Sequence, residues 1–276
     1  MTEIEILPPG LSKPDLEALQ RAAALVERDS LANKLTRAVG GNVEWVGRQL
    51  PGGAKKLVAR ATESALKTAL RLAIRTMRPQ GPVGESARKS SERWHKAAAA
   101  ASGAIGGAFG FAALAFELPI STTILLRSIA DIALSEGEDL SSPESMLACL
   151  EVFALSNEPT DAAVEGGYFA SRAFLAQSVG ESARFLLRAG LGGETAPVVV
   201  RLISQIAARF GVAVSEKFAA QAVPIVGAFG GAAINAAFAD HFQNVARGHF
   251  TIRRLERLYG SDVVQEEYQR LKAQKR

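Results

Sequence analysis

The chain has little of what catalytic and secreted proteins usually display. Its 276 residues include one cysteine, Cys149, so no internal disulfide can form, which favours a reducing compartment such as the cytosol. There are three histidines, and the sequence contains no His-Glu-x-x-His, no Cys pair and no Gly-x-Ser-x-Gly. The glycine-rich run at 190–193 lacks the Lys and Ser/Thr of a P-loop. We therefore expect no cofactor, and the sequence leans away from an enzyme.

A signal peptide and strand patterns are also lacking. The N-terminus reads Met-Thr-Glu-Ile-Glu-Ile, without the positive start and apolar run of a signal peptide. We expect a cytoplasmic protein that meets any membrane from its inner side. Alternating apolar and polar runs are scarce, and helical periodicity surrounds the single β-like cluster at 198–200. The pattern predicts an all-α multi-helix bundle.

Breaks and capping residues divide this pattern into helices. We expect one amphipathic helix over residues 14–38 and a basic one from about 54 to 77. Another should follow Pro119, because proline removes a backbone donor and clashes with the preceding turn. Gly248 is expected to end a helix, as Gly260 is to end the next.

Two long stretches without charge, residues 97–116 and 218–239, each contain Gly-Ala-Phe-Gly. Each is about as long as a membrane-spanning helix, which needs roughly 20 apolar residues. Small residues four apart, such as Gly103 and Gly107, let another backbone approach closely. Two uncharged helices packed at the centre of a soluble bundle are the favoured interpretation. Insertion of one or both into a membrane is the alternative.

Charge is strongly segregated along the chain, whose net charge is +4. Residues 54–96 hold eleven Lys or Arg against three acids, a net of +8. Residues 131–181 hold ten acids against one arginine, a net of −9, and residues 247–276 hold eight bases against four acids, a net of +4. This favours a polarised surface, although folding can also bring opposite segments together.

The basic segment begins with a candidate membrane-binding helix. Its bases are spaced 4, 7, 4, 4 and 3 residues apart, which places them along one helix face. The interpretations are a solvated face, contact with anionic lipid and contact with an acidic partner. Nucleic acid is less favoured, because interleaved aromatic residues and known binding motifs are missing. The six bases are Lys56, Arg60, Lys67, Arg71, Arg75 and Arg78.

Carboxylates and a histidine give one candidate catalytic or metal-binding set, since facing helices can bring such groups together. A simpler interpretation makes Arg127 and Asp131 an i, i+4 ion pair and leaves Asp240 in water. Asn235, inside the second uncharged stretch, needs a hydrogen-bond partner if buried, and we expect a structural interhelical bond. The candidate set is Glu117, Asp131, Asp240 and His241.

Several blocks of the sequence resemble the EcsC family of bacterial proteins, in the same order. The resemblance covers about residues 55–260. The blocks are Leu118–Thr123 with residues 124–133, Gly137–Leu140, Cys149–Leu155, Pro224–Asn235, and residues 250–256 with Tyr259-Gly260.

The resemblance implies a cytoplasmic, membrane-associated accessory role, because the family is named for a gene beside an ABC transporter operon. It carries no catalytic residue over to this chain. With the sequence pattern, it suggests an N-terminal helical arm (1–53), an EcsC-like all-α domain (54–260) and a C-terminal polar helix (261–276). Three functions stay open: an accessory protein on anionic lipid or a membrane protein, a hydrolase of a lipid or apolar substrate with or without a metal ion, and a structural homo-oligomer.

Overall fold

The structure, a computed structural model, describes residues 10–27, 30–39, 52–76, 114–155, 167–189, 196–221 and 228–274. Over this part of the chain all regular structure is helical, which confirms the all-α prediction. The helices are α1 (Lys13–Val26), α2 (Leu31–Val39), α3 (Gly52–Thr76), α4 (Leu114–Ser135), α5 (Pro143–Leu155), α6 (Gly167–Ala189), α7 (Pro197–Gln221), α8 (Ala228–Tyr259) and α9 (Ser261–Ala273).

Two N-terminal helices replace the single helix predicted over residues 14–38. Ser12 begins α1 by accepting a hydrogen bond from the backbone N–H of Asp15 at 3.3 Å. Ser30 does the same for α2 through the N–H of Asn33, also at 3.3 Å. The single-helix prediction was wrong because Ser30 satisfies a donor at a helix start and so favours a new helix there.

The predicted end of a helix at Gly248 was also wrong, because α8 runs without interruption through that position. Gly248 marks a close approach between helices instead. A Cβ atom built there would lie 2.6 Å from Val26 Cγ1 and 2.8 Å from the carbonyl oxygen of Ala22, both on α1. The glycine therefore lets α1 pack directly on the backbone of α8.

Pro119 lies inside α4 and does not precede it, which corrects the predicted helix start. Nearby hydroxyl groups bind the backbone carbonyls around the proline. Thr123 Oγ1 donates to the Pro119 carbonyl at 2.8 Å, and Ser121 Oγ donates to the Leu118 carbonyl at 3.2 Å. Such hydroxyl bonds to carbonyls of the preceding turn often accompany a bend in a helix.

The centre of the fold is formed by α5 and α8. Every residue of α5 except Glu144 is buried, and α5 packs against α3, α4, α6, α7 and α8. Cys149 on this helix is fully enclosed, and burial raises the pKa of its thiol. The longer α8 contacts α1, α2, α4, α5, α7 and α9. It therefore joins the N-terminal helices to the rest of the core.

An aromatic cluster links these two helices with α7. Phe153 of α5 lies with its ring centroid 4.6 Å from that of Phe210 on α7 and 5.4 Å from that of Phe242 on α8. Phe238 joins the cluster at 4.9 Å from Phe242. All four rings are no more than 2% exposed, so they form the apolar centre of the molecule.

The structure describes the two uncharged stretches to different extents. Residues 97–113 lie outside the described residues. The second stretch spans parts of two helices, since α7 ends at Gln221 and α8 begins at Ala228. Residues 222–227, which include Pro224, lie outside the described residues.

Two described helices are long and apolar enough to cross a membrane by length and composition alone. They are Glu117–Ser135 in α4, with mean hydropathy 1.3, and Pro197–Gln221, which is α7, with mean hydropathy 1.5. The buried share of the most apolar part is 56% in the first and 44% in the second. Core helices of soluble proteins meet the same criterion, so the finding is weak evidence for a membrane span.

Candidate functional site: a basic helix face and an arginine–glutamate cluster

The predicted basic face lies on α3, whose other side enters the core. Val58, Leu66 and Leu70 are 1% exposed and pack inward. Lys56 and Arg60 are exposed on the outside. At about 100° per residue, Lys56, Arg60, Lys67 and Arg71 fall within an arc of roughly 60°. The helix thus buries its apolar face in the core and presents basic side chains to the outside.

The other bases of this face differ in their surroundings. Lys67 is half-buried, and its Nζ lies 2.7 Å from the Glu63 carboxylate one turn earlier. Arg71 is exposed. The side chain of Arg75, and Arg78 as a whole, lie outside the described residues. Leu57 follows Lys56 at one edge of this face and is 43% exposed.

Glu117 and Asn235 meet in a buried polar contact that also includes Lys217. Lys217 Nζ on α7 lies 2.6 Å from Glu117 Oε1 on α4, and Asn235 Nδ2 on α8 donates to the same oxygen at 3.4 Å. Burial lowers the pKa of Lys217, and the neighbouring Glu117 opposes that shift. The Lys217 ammonium also lies 5.2 Å from the ring centroid of Phe238. The contact ties three helices together inside the core.

The remaining predicted polar residues lie in other surroundings. Asp240 accepts a hydrogen bond from Asn244 at 2.9 Å and lies 3.5 Å from Lys34. His241 is buried against the Phe242 ring. Within the described ranges, no three His, Cys, Asp or Glu side chains form a group that could hold a metal ion. Arg127 is exposed and Asp131 is half-buried on α4.

A second polar region, absent from the sequence-based candidates, surrounds Glu138 between α4 and α5. The Glu138 carboxylate accepts two hydrogen bonds from Arg253 on α8, at 2.8 and 3.1 Å, and one from Ser145 at 2.6 Å. Arg257, one turn further along α8, also binds it. Burial raises the pKa of Glu138, but the hydrogen bonds from Arg253 and Ser145 outweigh it and hold the pKa below its ordinary value.

A more exposed layer continues this region to the N-terminus. Arg254 donates to Glu136 at 2.9 Å and lies 3.4 Å from Asp15 on α1. The Tyr259 hydroxyl donates to Asp15 at 2.7 Å, and this bond is the main cause of the lowered pKa of Asp15. The acidic segment and the basic C-terminal segment therefore neutralise one another here across α8.

Helix α6 adds a further ion pair to the same region. Arg172 binds Glu256 of α8 through two hydrogen bonds, at 2.7 and 3.0 Å, the planar two-point geometry that arginine and carboxylate favour. Beneath it, the Tyr168 hydroxyl lies 2.8 Å from His249 Nδ1. Burial lowers the pKa of His249 well below its ordinary value, so its ring is neutral at pH 7.

Glu151 lies at the bottom of a cleft beside these ion pairs. The cleft has a volume of about 710 Å³ and is bounded by α5, α6, α8 and α9. A neighbouring cleft of about 530 Å³ shares Arg172, Arg253 and Glu256 in its lining. The Glu151 side chain is 5% exposed, and burial raises its pKa to about 7. Among the described residues, its carboxyl group makes no hydrogen bond.

The sequence does carry a signal for this region. Glu151 is the single charge between Ser145 and Asn157, in a run otherwise typical of a core helix. Arg253 and Arg257 are one turn apart in the basic C-terminal segment, which was expected to form a polarised surface. A charge inside an apolar helical run, together with oppositely charged distant segments, predicts a buried ion-pair region. Which acid meets which base requires the three-dimensional packing.

Comparison with known proteins gives one result. The model of the EcsC protein family matches residues 16–255, which is most of the chain. The match begins at residue 16, earlier than the start expected near residue 55, and so includes α1 and α2. No curated protein and no solved structure matches the chain significantly.

Proposed function

The chain belongs to the EcsC protein family, and we propose that it is a cytoplasmic accessory protein that lies on the inner face of the cell membrane. The contact is made by the basic face of α3, which we define as Lys56, Arg60, Lys67 and Arg71. A membrane protein, such as an ABC transporter, is the partner that the family resemblance suggests.

The observation that supports this proposal is the orientation of α3. Its apolar side is already buried in the bundle, through Val58, Leu66 and Leu70. The outward side therefore meets lipid mainly by charge, as a peripheral protein does. Each Lys or Arg near an anionic surface contributes about 1 kcal/mol, so several together give stable but salt-sensitive binding. Leu57, exposed beside Lys56, adds a small apolar contact.

Flotation with liposomes tests the proposal. We expect the protein to float with vesicles that contain about one-third phosphatidylserine, and to remain at the bottom with neutral vesicles. Raising the salt to about 1 M should release it, because the Debye length then falls to about 3 Å. Lys56→Glu with Arg60→Glu should reduce the bound fraction at least tenfold, since both bases are exposed on α3.

The matched control is Lys13→Glu with Arg21→Glu on α1, where both side chains are also exposed. Both double variants replace two bases by two acids and so change the net charge by the same amount, from +4 to 0. The control should bind nearly as well as the parent protein. An equal loss of the bound fraction in both variants would mean that net charge alone controls binding, and it would contradict α3 as the contact.

The other two functions stay predictions with their own tests. The hydrolase prediction rests on Glu117, Asp131, Asp240 and His241, of which Glu117 and Asp240 are engaged with Lys217 and Lys34. Release of product from lipid esters or other apolar substrates would support it. The homo-oligomer prediction is tested by the molecular mass of the protein in solution.

A further inference from the structure

The cleft beside Glu151 has the features of a ligand site separate from α3. We propose that it binds a small amphipathic amine, with the ammonium group on the Glu151 carboxylate and the apolar part along α6. The amine is a soluble molecule or the head of a lipid, and the shared chemistry is a cation attached to an apolar chain.

The first argument is the unmatched carboxyl group. Glu151 is 5% exposed and faces the cleft, yet its carboxyl makes no hydrogen bond with any described residue. A carboxyl group held away from most water without a hydrogen-bond partner carries a free-energy cost, which is larger when the group is charged. A ligand that donates hydrogen bonds to this carboxyl would recover that cost, and an ammonium group donates up to three.

The second argument concerns Arg172 and Arg253, the two arginines nearest Glu151, which are already neutralised; the other arginine of the lining, Arg184, is exposed. Arg172 is bound through two hydrogen bonds to Glu256, and Arg253 through two to Glu138. An anionic ligand would have to displace one of these carboxylates. A cationic ligand leaves both ion pairs intact and meets the carboxyl group of Glu151, while the other acid outside these pairs, Glu144, is exposed to solvent.

The third argument is the wall of the cleft. Residues of α6 spaced three and four apart turn one apolar side toward it, as one face of a helix must. The volume of about 710 Å³ lies within the range of small-molecule sites, which is roughly 300–1,000 Å³. A short alkyl chain or ring fits beside such a wall. The apolar residues are Phe169, Ala173, Ala176, Val179, Ala183 and Leu187.

The site also predicts how pH controls binding. The charged groups that act on Glu151 are Arg172 of α6 with Arg253 and Glu256 of α8, and burial outweighs them to raise its pKa to about 7. Between pH 6 and pH 8 the ionised fraction of Glu151 therefore rises about tenfold, whereas an alkyl ammonium stays charged. The affinity for an amine should rise by about the same factor, and that for an alcohol should stay constant.

The experiment compares hexylamine, 1-hexanol and hexanoate as probes of the folded full-length protein, by ligand-observed NMR and calorimetry. We expect hexylamine to bind most tightly, about tenfold better at pH 8 than at pH 6. Glu151→Gln, which keeps the shape of the side chain, should weaken hexylamine at least tenfold and leave 1-hexanol unchanged. Glu144→Gln is the control, because Glu144 lines the same cleft with a side chain that is 66% exposed.

Three results would overturn the proposal. They are no binding of hexylamine, equal binding of hexylamine by the Glu151→Gln variant, and tighter binding of hexanoate than of hexylamine. The last would assign the cleft to anions that displace a carboxylate from Arg172 or Arg253. The pH series on the unaltered protein decides the matter even if the variant fails to fold. Vesicles with and without phosphatidylethanolamine then distinguish a lipid head from a free amine.

Discussion

Single charged residues determine much of the behaviour expected of this protein. The sequence singled out Asn235 and Glu117, but it could not show that Asn235 donates to Glu117 or that Glu117 also pairs with Lys217, 100 residues away from it. Glu138 was overlooked because nothing local distinguishes a carboxylate that meets arginine from one that meets water, whereas Glu151 does carry a local signal as the lone charge in an apolar helical run. The distinction depends on which helices pack together.

Glu151 makes stability depend on pH. Its pKa is raised from 4.5 to about 7 in the folded protein, so folding favours the protonated form. The stability from this group is complete below pH 4.5 and is lost as pH rises through about 7, a change on the order of 3 kcal/mol. Glu151→Gln should abolish this component, so the variant gains stability relative to the parent between pH 5 and pH 8. Urea unfolding across that range checks it, and a constant difference between the two proteins would contradict it.

Glu138 should be a far more sensitive position than an acid in an exposed pair. Its carboxylate is 3% exposed and binds Arg253 and Arg257, so Glu138→Ala leaves two guanidinium groups without it. We expect a loss of about 3–5 kcal/mol in the free energy of unfolding. Glu267→Ala, which removes the partner of the 58% exposed Arg270, should cost less than about 1 kcal/mol. Similar losses in both variants would contradict the arrangement around Glu138.

Helix boundaries were predicted well where local chemistry decides them and poorly where packing does. The predicted helix end at Gly260 is confirmed, since α8 ends at Tyr259 and Gly260 adopts the positive φ that favours glycine. Gly248 and Pro119 are ordinary signals for a boundary, yet both lie inside helices. At Gly248 the close approach of α1 explains the glycine, and no local pattern contains that contact.

Gly248→Ala should therefore destabilise the protein although alanine is the better helix former. The new Cβ would lie 2.8 Å from the Ala22 carbonyl oxygen, and backbone cannot move away as a flexible side chain can. We expect a loss of about 1–3 kcal/mol, typical of overpacking. Gly211→Ala on α7 is the control, because no heavy atom lies within 4 Å of its added Cβ. It should gain up to about 1 kcal/mol. Thermal unfolding compares the two, and a stabilised Gly248→Ala variant would contradict the packing of α1 on α8.

At the scale of the whole molecule, the segregation of charge has an internal use. The acidic segment 131–181 and the basic segment 247–276 meet across α8 through Glu136, Glu138 and their arginine partners. The sequence gives the charge of each segment but not which segments fold together. The expectation of a polarised surface was therefore incomplete, because these two segments partly neutralise each other. The basic face of α3 does not depend on that pairing, and it supports the proposed membrane contact.

The most direct test of that contact is a fluorescent label on α3. The single native cysteine, Cys149, is fully buried, so a cysteine placed at exposed Ser64 can be labelled alone with an environment-sensitive dye such as NBD. Ser64 lies on the same side of α3 as the basic face. Gln269→Cys, exposed on α9, provides the control position.

Addition of anionic vesicles at low salt should shift the emission of the label at Ser64 to the blue and raise its intensity, while the label at Gln269 stays unchanged. High salt should reverse the shift. An unchanged Ser64 label on vesicles that demonstrably carry the protein, or a shift at Gln269 alone, would contradict the account that the basic face of α3 lies on the membrane.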